Sequence, residues 1–471
     1  MKKNLFRGLI ILLVLVFAFL LCEKVLMLKS EDGVEQMKSF YLQKEDTVDV
    51  LLVGSSHIYC NVNTGLLWDE YGMSAFDLGG AEQPYWNSYY FIKEALKTQR
   101  PKVIVMNATI PGIRFDEYQS EVWLTTNLYG MHWNENRIMN TKVSAIKDSF
   151  WRILFPMNEM HGRYNDLSKD DFVDKNYDIS YKGFDYRATI IPFEKPDITG
   201  VTECQPIIPK QEEYLRKIIA LCKEENIPLL LVSVPFVVTE DAQKYYNYEF
   251  QIAEEEGVDY LDFNKMYDEV GIDFATDMAE ELHLNISGSQ KFTRFLGQYI
   301  KDKYETADHR GDIKYASWDK DALIHRREID GEYLKFSTSI DQYISLANKE
   351  GFIVFVNAKG AGEADLSDCE ASFREFGISS DSLTQDSGYI VSNGQLLFSS
   401  NEDSFDTYLD EMDRLILRKE TEGDSSTTKV YIDTDEFDIS QYGITLLVYD
   451  SVSGRPVDYV IYDPYTKELR R

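Results

Sequence analysis

The sequence predicts an α/β chain of more than one domain: a doubly wound parallel sheet carrying an aromatic-rich insertion, a transmembrane helix before it, and a β-rich α+β module after it. Three observations carry that expectation. Continuous apolar runs such as "VDVLLVG", "KVIVMNA" and "PLLLVSVP" alternate with amphipathic helical patterns, as strands covered on both faces do. The first thirty residues hold an uncharged apolar stretch. Beyond about residue 335 the pattern turns to short strands and hairpin signals.

The N-terminal element comes first. Lys2, Lys3 and Arg7 precede "GLIILLVLVFAFLLC", which is uncharged from Gly8 to Cys22. This reads as a helix long enough to enter a bilayer, with a positive end retained in the cytoplasm. A cleaved signal peptide is the competing reading, but no A-x-A-like site follows and Leu21 before Cys22 does not fit a lipobox. Residues 1–28 are therefore expected to be an uncleaved single-pass anchor in the cell membrane, with the bulk of the chain extracytoplasmic, and 29–48 a polar linker.

From residue 49 to 306 strands and helices alternate. "VDVLLVG" is the first strand and "SAFDLGG" a short second one. "PYWNSYYFIKEAL" has helical spacing at Tyr89, Ile92 and Leu96, and "KVIVMNA" is the third strand. The amphipathic "KQEEYLRKIIALCKEEN" leads into "PLLLVSVP", "VDYLDF" is a fifth strand, and a last helix starts near Ser287. Strands alternating with helices in this way argue for a doubly wound sheet. Residues 110–205 interrupt it with an insertion rich in Trp123, Tyr129, Trp133, Trp151 and Tyr164. It reads either as a helical cap with its own small core or as a substrate-binding wall whose aromatic faces suit sugar rings and acyl chains. A charged stretch, 307–332, is expected to be a second linker. In 333–471, "GFIVFVN", "GYIVSNGQLLFSS", "GITLLVYD" and "PVDYVIYD" read as strands, with Asn393-Gly394 as a hairpin turn and one helix around "LSDCEASFREFG".

Composition bounds the function. The 471 residues carry 80 Asp plus Glu against 49 Lys plus Arg, a formal charge of −31, which argues against nucleic acid as a partner. The five cysteines show no paired spacing, and no nucleotide-binding or metal-ligand motif occurs, so neither metal nor cofactor is expected.

The chemistry concentrates in two places. "LLVGSSHIYC" ends a buried strand at the position where α/β sheets present nucleophiles, although small polar residues also make ordinary strand-to-helix turns. In "TDMAEELHLNISGSQKFT", His283 precedes the last helix, with Glu280 three residues earlier and Asp277 six. A serine, an imidazole and a carboxylate are the nucleophile, base and orienter that acyl transfer requires.

On "VGSSH" and "HLNISGSQKFT", residues 49–306 resemble the SGNH/GDSL hydrolase superfamily, in the branch of membrane-anchored surface-polysaccharide acyltransferases. That branch includes the D-alanyl transfer protein of teichoic-acid modification and the alginate O-acetylation proteins. The resemblance implies Ser56 as nucleophile, His283 as general base and Glu280 as orienter, with Asp277 in reserve, since the family places aspartate where Glu280 stands. It implies an oxyanion hole made by the Ser56 N–H, Gly79 or Gly80, and Asn107. His57 would line the site. His161 and Arg163, in "EMHGRYNDL", would contact substrate or support the cap. His132, His309 and His325 are expected at the surface. The tail, on "FIVFVNAKGAGEADLSDCEASFREFGI" and "YGITLLVYDSVSGRPVDYVIYD", resembles the interleukin-like EMT inducer domain.

These resemblances imply a serine acyltransferase that O-acetylates a cell-surface polysaccharide, working beside a membrane-bound O-acyltransferase. A carbohydrate O-acetylesterase, a D-alanyl transfer role toward teichoic acid, and a non-catalytic glycan-binding scaffold are the alternatives.

Overall fold

The computed structural model describes residues 2–29, 32–108, 114–118, 120–146, 149–173, 175, 177, 181–409, 415–422 and 425–471. They fall into two units, 1–323 and 324–471.

Unit one is built on five parallel strands, β1 Val50–Gly54, β2 Ala75–Gly79, β3 Val103–Ala108, β4 Leu229–Ser233 and β5 Asp259–Asp262. Their spatial order is β2-β1-β3-β4-β5, and every pairing is parallel. β1, β3 and β4 are buried along their whole length, which explains why they read as unbroken apolar runs. The chain leaves β1 for β2 on one side and returns to β3 on the other. The order therefore reverses at β1, and the crevice beyond the carboxyl ends of β1 and β3 is where such sheets take ligands. Ser56 follows β1, and Asn107 lies near the end of β3.

The helices follow their sequence signals. Asn63 caps Thr64–Tyr71 through Leu66 N–H, and Thr239 caps Glu240–Glu256 through Ala242 N–H. Ile286–Lys303 buries Phe292, Leu296 and Ile300 against the sheet. In the insertion, helices Glu121–Tyr129 and Phe150–Leu154 contribute Leu124, Leu128 and Ile153 to the core that encloses the sheet, and Glu135–Ser144 packs Val143 against it. Where the cap reading expected a small core of the insertion's own, these described residues join the core of the sheet. Parts of the insertion, 110–113 and 147–148 among them, lie outside the described residues.

Both expected linkers contain helix. Within 29–48, Val34–Phe40 buries Val34, Met37 and Phe40. Within 307–332, Ala316–Phe336 starts a helix whose Trp318 and Ala322 join the core of unit one. Trp318, Ala322, His325 and Ile329 recur at helical spacing and are buried, but charged residues between them hid the stripe in the sequence. His325 is thus not at the surface. His309 stacks on Tyr315 and pairs with Asp49 at 2.8 Å, while His132 is exposed and stacks on Tyr41.

Unit two holds two antiparallel sheets. The strands are β6 Phe352–Lys359, β7 Ser387–Ser392, β8 Gln395–Ser400, β9 Phe405–Tyr408, β10 Leu415–Glu422, β11 Ser425–Ile432, β12 Asp435–Asp438, β13 Gly443–Asp450, β14 Arg455–Asp463 and β15 Glu468–Arg470. The larger sheet runs β15-β14-β13-β6-β7-β8 and the smaller β12-β11-β10-β9. Phe352, Val354 and Val356 of β6 face one core with Tyr343 and Ile344 of helix Ile340–Ala347. Phe355 faces the other, with Leu417 and Val430 of the smaller sheet. Covered on both faces, β6 and β13 lose the apolar–polar alternation of a half-exposed strand. Asn393 and Gly394, at φ 52° and 68°, make the expected hairpin turn between β7 and β8.

If helix 316–336 is part of the fold rather than a tether, Trp318→Ala should lower the stability of unit one by roughly 3–5 kcal/mol. Denaturant titration followed by near-UV circular dichroism measures this; an unchanged first transition would make it a tether.

Candidate active site

The turn after β1 is held by close backbone approach. Ser55 N–H donates to Asn107 Oδ1 at 3.2 Å. A Cβ at Gly54, whose φ is 158°, would lie 1.7 Å from that oxygen, so residue 54 has to be glycine. Ser55 then caps the four-residue helix Ser56–Tyr59, its hydroxyl accepting from His57 N–H. Ser56 is the first residue of that helix, and its N–H has no acceptor within the helical ladder.

His283 arrives from the loop before Ile286–Lys303. Asn61 ties this loop to the serine turn: its Oδ1 accepts from Leu284 N–H at 2.8 Å and its Nδ2 donates to His57 O at 2.9 Å. The loop is closed on itself by Ala279 N–H to His283 O, 2.9 Å, and a bridge between Met278 and Leu284. Asn285 caps the following helix.

These braces bring three side chains into line. His283 Nε2 stands 2.7 Å from Ser56 Oγ, and His283 Nδ1 stands 2.5 Å from Glu280 Oε1. An ionised carboxylate only accepts, so Nδ1 carries the proton and Nε2 presents a lone pair to the serine hydroxyl. Burial is the main influence on the His283 pKa and lowers it from the ordinary histidine value; Glu280 opposes that and neighbouring Arg187 reinforces it. The imidazole is therefore neutral, and able to take a proton, at neutral pH.

Glu280 holds the orienting position although its side chain is 54% exposed. Asp277, fully buried, is not the reserve orienter. It pairs with Lys291 at 2.6 Å and accepts from Ser287 Oγ and Asp273 N–H, each at 2.8 Å, which fixes the loop to the helix behind it.

The other predicted residues are placed as follows. Asn107 braces the turn: Ser55 N–H can only donate, which sets Oδ1 toward it, and Nδ2 donates to Ala108 O at 3.1 Å. Gly80 N–H is donated to Gly54 O at 3.2 Å, and the amide of Gly79, one residue back on an edge strand, points away from β1. These glycines instead allow close packing, since a Cβ on Gly79 would lie 2.7 Å from Gly54 O and one on Gly80 2.1 Å from Asn127 Oδ1. Of the expected oxyanion donors, Gly80 N–H is committed to Gly54 O, while the Ser56 N–H has no acceptor in the helical ladder and the bond to Ala108 O uses one of the two Asn107 Nδ2 hydrogens. His57 is buried edge-on to Phe236, with its ring 5.5 Å from that of His283. Burial, reinforced by His283, pushes its pKa down to about 3, so it is neutral. Arg163 is bound to Asp171 and to Leu26 O at the end of the N-terminal helix, and His161 is exposed on the same 3-10 turn, 161–165. Arg163 thus braces the end of the N-terminal helix.

Sequence reasoning missed Asp185 and Arg187. The segment "FDYR" is sewn between the two halves of the site by Asp185 N–H to Tyr59 O, 2.8 Å, and Ile286 N–H to Arg187 O, 3.0 Å. No motif marks it; only the fold sets the Arg187 charge beside His283.

No family model matches the chain, and a search of curated proteins finds no match either.

The two acidic residues should separate experimentally. Lys291→Met strands the buried Asp277 carboxylate, and it should cost stability near the lower end of the roughly 3–5 kcal/mol seen when a buried pair is broken, since Lys291 is partly exposed. Glu280→Gln should leave the thermal midpoint nearly unchanged and slow labelling of Ser56 by a fluorophosphonate probe. The opposite pattern would make Asp277 the orienter.

Proposed function

We propose that this chain is a membrane-anchored serine acyltransferase that moves an acyl group, acetyl by preference, to a hydroxyl of a surface polysaccharide. The observation that carries the reading is the line of Ser56, His283 and Glu280, with contacts of 2.7 and 2.5 Å. The resemblance to the SGNH/GDSL superfamily supports it, as does the parallel five-stranded sheet that sets Ser56 at its carboxyl edge.

In the first half-reaction Ser56 Oγ attacks the acyl carbonyl while His283 Nε2 takes the hydroxyl proton. The developing oxyanion faces the Ser56 N–H, and the Arg187 cation stands near enough to influence His283. Collapse expels the donor's leaving group, which takes the proton from His283. In the second half-reaction the acceptor hydroxyl gives its proton to His283 and attacks the Ser56 ester, and the serine leaves with that proton. Glu280 holds the imidazole in the tautomer both halves need.

The N-terminal helix Leu5–Leu26 is long and apolar enough to cross a membrane, which favours transfer at a surface over release into solution. A partner of the membrane-bound O-acyltransferase class would deliver the acyl group across the bilayer. With water as acceptor the same residues make an esterase, and a D-alanyl donor would change only the group carried.

A scaffold reading draws on a different observation. Unit two has a cavity of about 330 Å³ lined by Gln385, Ser387, Tyr389, Ser399 and Asn401, hydroxyls and amides of the kind that hold sugars. On that reading glycan binding survives Ser56→Ala and no turnover is found in the parent.

Mass spectrometry of the full chain in detergent, after incubation with an activated acetyl ester, should show one acetyl adduct that Ser56→Ala lacks. Turnover should fall on the order of 10⁴-fold or more. Adding glycan should raise ester consumption above hydrolysis; a glycan-independent rate would make the protein an esterase. The acid limb of kcat/KM, which reports the free base, should have its midpoint below 6.5, the ordinary histidine value. Glu280→Gln, which removes a charge favouring imidazolium, should move the limb lower, with a rate loss below the ~10⁴-fold of a buried orienter. Arg187→Met should move it higher. Shifts of the same sign in both variants would remove His283 from the role of base.

A further inference from the structure

The insertion was expected to offer its aromatic residues either to a small core or to substrate. Its largest side chains are not taken up by a core. Trp133 and Trp151 are 51% and 67% exposed, and Trp123 is 40% exposed. Phe155 links the first two, its ring 5.5 Å from that of Trp133 and stacked 6.1 Å from that of Trp151. A surface patch of this kind normally has an occupant.

The N-terminal helix identifies it. Phe155 also lies edge-on to Phe19, 6.5 Å between ring centres. Leu15, Val16, Phe19, Leu20 and, nearer the domain, Glu23 form one side of a groove of about 500 Å³, and Trp133 and Phe155 form the other. At 1.5 Å per residue, the segment Leu5–Leu26 is about 33 Å long, close to the ~30 Å of a bilayer's hydrocarbon. Phe19 is seven residues, about 10 Å, from its domain-proximal end. Whatever packs on Phe19 lies within the leaflet next to the domain, whichever way the helix is oriented.

Polar groups mark the level of that end. Arg163 donates to Leu26 O at 2.5 Å, and Lys29 donates to Asp171 O at 2.6 Å. The Arg137 guanidinium lies 4.2 Å from the Trp133 ring centre, on its inner side toward Met131 O. Cations at the helix end with indole rings deeper along the helix follow the order of a membrane interface.

We propose that the face made by Trp133, Trp151 and Phe155 is embedded in the lipid leaflet adjoining the domain, so that the protein holds the bilayer by two elements rather than by its helix alone. The inference rests on Leu5–Leu26 spanning the membrane and is independent of the acyl chemistry. Docking of the insertion on the helix also fixes the height of unit one above the lipid.

Full-length protein reconstituted into phosphatidylcholine vesicles containing brominated acyl chains tests this. Trp68, Trp86 and Trp318 are at most 2% exposed and enclosed by protein. Bromolipid should therefore quench mainly the insertion's indoles, and Trp133→Phe with Trp151→Phe should abolish most of the quenching while the circular dichroism spectrum is kept. Aqueous iodide should quench the parent little. Protein that resists carbonate extraction yet is quenched by iodide and not by bromolipid would overturn the proposal; since the vesicles hold no other protein, that result would assign the face to a protein partner. Release by carbonate would overturn the spanning helix, and the proposal with it, without touching the serine chemistry.

Discussion

A side chain at residue 54 would occupy the space that the Asn107 amide oxygen takes, and the rest of the site depends on that exclusion. Because Gly54 has no Cβ, the end of β3 can close on the end of β1, and Ser55 N–H finds an acceptor where a buried amide would otherwise be stranded. That hydrogen bond turns the chain sharply enough for Ser55 to cap a single helical turn, with Ser56 projecting from its start. The same economy recurs at Gly288, where a Cβ would lie 2.4 Å from Asp277 O, so that the histidine loop can sit against the helix that follows it.

The serine and the histidine are 227 residues apart in the chain, and few contacts convert that separation into a hydrogen bond. Asn61 does most of it. Its carbonyl oxygen and amide nitrogen address the loop and the turn in opposite directions, which a side chain with a single polar function cannot do. Thr293 adds a second tie through Asn63 N–H. The site is thus positioned from one core, with the Asp185–Arg187 segment closing one flank.

The two carboxylates of the histidine loop show how environment divides labour between similar groups. Asp277 is enclosed, and a lysine, a hydroxyl and an amide satisfy it, so its charge serves the loop's shape. Glu280 is half in solvent, where its charge is screened, yet its longer side chain reaches Nδ1 from three residues away. On the acyl-transfer reading proposed above, a screened orienter combined with the desolvation that keeps His283 neutral suits a base that must both take and return a proton.

Much of this was legible from residue order. The buried strands, the apolar N-terminal helix and the hairpin at Asn393-Gly394 follow from local patterns, because periodicity and turn chemistry are properties of neighbouring residues, while the nomination of Ser56, His283 and Glu280 comes through the family resemblance of the motifs that hold them. The helix 316–336 was hidden because its apolar stripe is narrow and lies among charges, and the strands β9, β10 and β12 because polar residues dominate them. What only the tertiary structure decided is which polar atoms were left over. Gly80, Asp277 and Arg163 look like site residues in one dimension, but each is committed to a partner distant in sequence or to the closure of a loop. Arg187 and the aromatic face beside Phe19 acquire their surroundings only when the insertion folds back. A hydrogen bond or an exposed ring depends on what lies across space, and the chain order carries no direct record of that.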